Sequence, residues 1–140
     1  MSSETRTTSP AWQWLGIVAV ELGEGLAVLE MTPTEHMANH AGFVHGGMIS
    51  ALADSAMGRC LRTLKPGVVR AMSFDLKLSF IAPARVGETL RATGRVVHAG
   101  RRTMVAECRV EGPEGRLVAT ASGTFAVTRE KGITEGSDAD

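Results

Sequence analysis

The spacing of apolar positions changes period twice along this chain. Ile17 to Leu22 and Leu26 to Met31 are rich in Val, Leu and Ile and flank Gly23-Glu24-Gly25, a glycine-bearing reversal between two β-forming runs that predicts a hairpin. The AWQWLG stretch before it, following Pro10, reads as a short helical turn. From Gly46 to about Leu64 the composition shifts to Ala, Met, Leu, Ser and Gly, with few β-branched residues and no proline, which favours a helix. Lys65-Pro66-Gly67 ends it, because proline cannot continue the hydrogen-bond ladder and disfavours helical geometry in the residue before it. In the second half, Val68 to Ile81, Glu88 to His98, Thr103 to Val110 and Leu117 to Arg129 are rich in β-formers. Phe74, Leu76, Leu78 and Phe80 alternate with Ser73, Asp75, Lys77 and Ser79, the period-two pattern of a strand with one buried face. Turn signals at Ala99-Gly100-Arg101 and Gly112-Pro113-Glu114-Gly115 arrange the last strands as an antiparallel meander.

These elements predict an α+β fold: a hairpin, one long helix and several long antiparallel strands. A helix of ~19 residues is ~28 Å long. This one is apolar on most of its circumference and needs cover nearly all round. A single curved antiparallel β-sheet wrapped about a long central helix supplies that cover. It also leaves long edge strands that need pairing or protection, and continuation of the sheet into a second copy would meet that need.

Length and charge narrow the rest. The 140 residues fit one domain, expected over residues 11–129, with disordered tails at 1–10 and 130–140, where the composition is polar or acidic. Lys plus Arg and Asp plus Glu are 15 each, so no polycationic surface favours nucleic acid and any anionic ligand must be met by a local cluster. Cys60 and Cys108 are far apart and show no metal-ligand spacing, which predicts two reduced, buried thiols and no metal site. The polar start MSSETRTTSP lacks the pattern of a secretory signal, and no apolar run reaches the ~18 residues that span a bilayer. The expected address is cytoplasmic, with no membrane contact.

The chemistry concentrates around Asp54. A carboxylate in a helix otherwise fit for burial needs hydrogen bonds, a partner or a shifted pKa. Its stripe at spacings of three and four carries mostly small residues, Gly47, Ser50, Ala51 and Gly58, together with Met57 and Leu61, which lets another chain or a slender ligand come close. Two uses are open to it: a structural one, capping a turn or pairing with Arg59 or Arg62, and a chemical one. His45-Gly46-Gly47 stands where the helix begins, and a helix start offers free backbone N–H groups and the positive end of the dipole, suited to a phosphate or a developing oxyanion. The same triplet can equally be a turn held by its histidine. Asn39, six residues before His45, adds a side-chain amide able to donate to a carbonyl.

Asn39, the His45-Gly46-Gly47 triplet and the Leu52-Ala53-Asp54 run, in this order and spacing, resemble the hotdog-fold acyl-CoA thioesterases of the phenylacetate-degradation type. The similarity runs from about Leu15 to Val127 and includes the SFDLKLSFIAPARVGETLRATGRVVHAGRR segment. It implies a homodimer whose two sheets join, often paired again into a homotetramer, with active sites at the dimer interface. By motif position it implies Asp54 as general base or nucleophile on the thioester and the Gly46 N–H as oxyanion donor. Asn39 would polarise the carbonyl or hold the lytic water, His45 would orient the loop, and Ser73 would help to place water. Substrate contacts are expected from Gly47, from Phe43 and Met57 for the acyl part, and from Arg101 and Arg102, with Arg85, for the nucleotide of coenzyme A. Phe43, Met48, Met57 and Phe80 suit a small aryl or medium-chain acyl group. No cofactor is implied, since coenzyme A is part of the substrate. A Ser-His-Asp hydrolase is rejected, for the chain has no G-x-S-x-G elbow. The competing function is a non-catalytic acyl-CoA-binding or sensing module on the same fold, against which Asp54 stands; a hotdog hydratase lacks its dehydratase motif here.

Overall fold

The computed structural model describes residues 8–64 and 67–129. The expected disordered ends lie outside the described residues except for positions 8–10, as do Lys65 and Pro66 of the expected helix break. A first helix, α1 (Pro10–Leu15), opens with proline at its first position and with Ser9 as cap, the Ser9 hydroxyl accepting from the Trp12 N–H at 3.2 Å. Gly16, at φ 74°, closes it in the left-handed conformation that glycine adopts without strain. Strands β1 (Val18–Gly23) and β2 (Leu26–Met31) form the expected hairpin. Its turn is tied down by the Gly25 N–H donating to Thr63 Oγ1 at 2.6 Å.

The central helix, α2, runs Gly46–Leu61. It stops short of the expected Leu64 because the final turn tightens, with the N–H groups of Arg62, Thr63 and Leu64 donating to carbonyls three residues back. The helix is therefore ~24 Å long. The remaining strands are β3 (Val68–Phe80), β4 (Leu90–Ala99), β5 (Thr103–Glu111) and β6 (Leu117–Arg129). All pairings are antiparallel, in the order β1-β2-β4-β5-β6-β3. This is the predicted α+β arrangement, one long helix laid on an antiparallel sheet. Among the described residues no helix is long and apolar enough to cross a membrane.

The core lies between α2 and the sheet. Ile49, Leu52, Ala53, Ala56, Met57, Cys60 and Leu61 are buried on the sheet side of α2, against residues such as Leu29, Leu90, Met104, Val110 and Phe125. The seat is close at β4, where a Cβ on Gly94 would lie 2.5 Å from the Ala56 carbonyl oxygen. Both cysteines are free and buried, as expected. Burial pushes each thiol up to about 12, so neither supplies a thiolate near neutral pH.

Two expectations need correction. The helix is not covered all round: Ser50, Ala51, Asp54, Ser55, Gly58 and Arg59 on its outer face stay half-buried, because a single sheet covers one side and these small or polar residues need no deeper burial. Nor does β3 present one buried apolar face. It is one of the two edge strands, with a bulge between Ser73 and Asp75 that breaks the alternation. Phe74 is 64% exposed, Phe80 55% and Met72 62%, a long apolar edge without a pairing strand in the single chain.

Candidate active site

Asp54 emerges from the middle of α2 on its outer face and shares with Ser73 of β3 the wall of a cavity of about 390 Å³. Its Oδ1 is enclosed and has no hydrogen-bond partner among the described residues. No ion pair joins Asp54 to Arg59 or Arg62. Burial pushes the carboxyl above the ordinary aspartate value, and a hydrogen bond from the Ser73 side chain draws it part of the way back. A carboxylate so placed is more basic than one in water, which suits it to take a proton or attack a carbonyl.

A titration of the Asp54 carboxyl by carbon-13 NMR is accordingly expected to give a midpoint above 3.8. In the Ser73→Ala protein the midpoint should move higher still, because the removed hydroxyl hydrogen-bonds to the ionised form. A midpoint that stays put or falls would contradict this pairing.

The second cluster lies at the start of α2. His45 is the N-cap, with Nδ1 accepting from the Gly47 N–H at 2.9 Å. Neutral His45 thus carries its proton on Nε2, and the ring holds the turn, leaving Nδ1 no role as a base. The Gly47 donor is consumed by this bond, whereas the Gly46 N–H has no acceptor among the described residues. A side chain at Gly46 would meet the Phe80 ring at 3.1 Å, so the ring packs directly against this glycine. Asn39 Oδ1 accepts from the N–H groups of Ala41 (2.9 Å) and Phe43 (3.1 Å). These bonds commit its oxygen to the loop and leave the amide –NH₂ to donate.

Which residues come together is set by the helix. Gly46 and Asp54 are two turns apart, an axial rise of ~12 Å. One carbonyl carbon cannot contact both within a chain. Phe43 is half-buried and bridges to Arg85, so Asn39, Phe43, Gly46, Gly47 and Arg85 share the N-terminal end of α2. Arg101 and Arg102 sit on the β4–β5 turn, exposed, toward the other end: Gly94 lies under Ala56, and Val96 lies beside Gly25, itself bonded to Thr63. Met57 is wholly buried in the core and does not line the cavity.

Sequence reasoning placed Gly58 on the Asp54 face but missed Trp12 and Ser55 as lining residues and the roles of Arg59 and Arg62 as cavity walls. Trp12 Nε1 donates to Ser55 Oγ at 3.0 Å, laying α1 across the outer face of α2. The spacing of Ser55, Gly58, Arg59 and Arg62 after Asp54 was a visible signal for a shared helical face. The reach of Trp12, 43 residues away from Ser55, was not.

A family model described as Thioesterase superfamily matches residues 41–119. The acyl-coenzyme A thioesterase PaaI of Escherichia coli is 34% identical over 78% of this chain and 76% of its own length. Among solved structures, conserved protein PA5202 from Pseudomonas aeruginosa superposes with a TM-score of 0.83 at 30% identity, covering 91% of this chain and 100% of that one. The smu.793 protein of Streptococcus mutans, solved bound to acetyl CoA, gives a TM-score of 0.76 at 27% identity, over 83% of this chain and 91% of that one.

Proposed function

The chain belongs to the thioesterase superfamily, and from that premise we propose that it hydrolyses a small aryl- or medium-chain acyl-CoA to the free acid and coenzyme A, with Asp54 as general base or nucleophile. The observation that carries this reading is the enclosed, unpaired Asp54 Oδ1 beside Ser73 on a cavity wall. In a thioester hydrolase the remaining need is a donor for the oxyanion formed when the carbonyl is attacked. The unused Gly46 N–H meets it, with the Asn39 amide as a second donor.

Because those donors and Asp54 lie ~12 Å apart along one helix, the reading requires two chains, one giving Asp54 and Ser73, the other Gly46 and Asn39. The exposed apolar edge of β3 supports such a dimer. Pairing β3 with β3 would continue the sheet, and a homotetramer would follow from a second pairing of dimers. Arg85 of one chain and Arg101 and Arg102 of the other would then serve the phosphates of coenzyme A across the interface. As general base, Asp54 takes a proton from water, the hydroxide displaces the thiolate and the proton passes to the leaving sulfur; as nucleophile, Asp54 displaces the thiolate to give a mixed anhydride that water then cleaves to the acid, its proton going to the thiolate. Neither route calls on a metal or redox cofactor. A cytoplasmic address completes the reading, consistent with two free thiols.

Thiol release from phenylacetyl-, hydroxybenzoyl-, hexanoyl- and palmitoyl-CoA tests the proposal: turnover of at least one of the first three is expected, and binding without hydrolysis of any would point to the sensing module instead. The donor is tested by Gly46→Pro. Proline at the first helical position preserves the helix, and His45, at φ −62° and ψ 135°, already has the extended conformation a following proline requires. Loss of the N–H is expected to cut kcat about a hundredfold, while Gly46→Ala, which crowds Phe80 equally but keeps the N–H, loses much less. Equal losses in the two would remove the oxyanion role.

A further inference from the structure

The cavity beside Asp54 holds two cations that hydrolysis does not use. Arg59 and Arg62 both line it. Arg59, on the same helix as Asp54, stands ~7.5 Å further along the axis, and Arg62 is the cap at the C-terminal end of that helix. Arg59 is half-buried, and its Nε is enclosed with no hydrogen-bond partner. An enclosed guanidinium donor left without an acceptor is unfavourable, and a like charge nearby makes it more so. Burial and the Arg62 charge both push the Arg59 guanidinium below its ordinary value. Asp54 is the one carboxylate on the described lining, and it is not paired with either arginine. The cavity therefore has a reactive carboxylate at one place, an unsatisfied cation further along, and Trp12, Met72 and Phe125 as walls for a short chain or ring. Its volume of about 390 Å³ suits a small acyl group.

Resting on the thioesterase reading of Asp54, we propose that this cavity is the acyl pocket and that Arg59, with Arg62 behind it, binds a free carboxylate at the far end of the acyl group. The preferred substrate class is then an acyl-CoA whose acyl chain ends in a second carboxylate. A planar guanidinium takes a carboxylate through two parallel N–H bonds, and a substrate lacking the carboxylate leaves the buried donors unpaired, which is how such sites discriminate.

Adipoyl-CoA and hexanoyl-CoA have acyl chains of equal carbon number and differ at the distal end, so the ratio of their kcat/KM values reads the pocket directly. Wild type is expected to prefer adipoyl-CoA by about tenfold or more. Arg59→Gln should erase that preference, and Arg59→Lys, which keeps the charge, should retain part of it. A structural role for Arg59, or one in holding the coenzyme A common to both, would lower both substrates alike and overturn the proposal. Binding of the same two thioesters to the Asp54→Asn protein, which leaves them intact, separates the two claims. Equal affinities there overturn the carboxylate site alone. Tighter binding of adipoyl-CoA, with neither compound hydrolysed by wild type, keeps the site and overturns the hydrolytic reading on which its substrate class rests.

Discussion

Asp54→Asn is expected to lower kcat/KM for the best acyl-CoA by about a thousandfold, the range found when a positioned base or nucleophile is removed. The side chains are nearly isosteric, so the cavity and the Ser73 contact keep their shape and only the ionisable oxygen goes. The variant should fold at least as well as wild type near neutral pH. The folded-state pKa of Asp54 is raised above the ordinary value. Ionising it therefore costs stability as pH rises from the unfolded value through the folded one, a cost that asparagine never incurs. An inactive but equally stable protein is thus the expected result, measured by thiol release beside a thermal melt. A variant that keeps its rate would make Asp54 structural and favour the sensing module. In wild type the acid limb of kcat/KM should lie above the range of an ordinary aspartate, since the reaction needs the ionised form.

The second large effect concerns the seat of the helix. Gly94→Ala should lower stability by about 3 kcal/mol and the melting temperature by about 10 °C. The added methyl would lie 2.5 Å from the Ala56 carbonyl oxygen and 3.1 Å from the Met57 nitrogen, both backbone atoms of α2 that can move only with the whole helix. In a strand alanine otherwise costs less than glycine, so the sign of the change isolates the clash. Gly58→Ala gives the contrast. There the nearest atom would be Phe125 Cε2 at 3.5 Å, an ordinary contact, and the better helix former should raise stability by about 0.5 kcal/mol. A melting temperature unchanged in Gly94→Ala would show that α2 is not held against β4 as described, and with it the position of Asp54.

Much of this was legible in the chain because local chemistry and tertiary structure agree. The Gly23-Glu24-Gly25 hairpin, the β4–β5 and β5–β6 turns and the start of α2 at Gly46 all follow from glycine placement and from the change of period between strands and helix. Asp54 stood out because a carboxylate in an apolar helix needs a reason. What could not be read was long-range or cooperative. The alternation of Phe74, Leu76, Leu78 and Phe80 gave no warning of the bulge at Ser73/Asp75, and periodicity cannot tell a face buried by its own chain from one left open at a sheet edge. Met57 suited an acyl pocket by type, yet its angular position turns it into the core. Arg59 and Arg62 entered only as partners in one of two uses open to Asp54, and it is the placement of Trp12 and Ser73 that shows them as walls of the same cavity.

The central claim is that one site is built from two chains, Asp54 of one and the Gly46 N–H of the other. It is tested most directly by mixing two nearly inactive proteins, Asp54→Asn and Gly46→Pro, through joint unfolding and refolding. Random pairing makes about half of the dimers mixed, each with one intact site, so about a quarter of wild-type thiol release should return. A mixture no more active than its separate components would contradict the shared site.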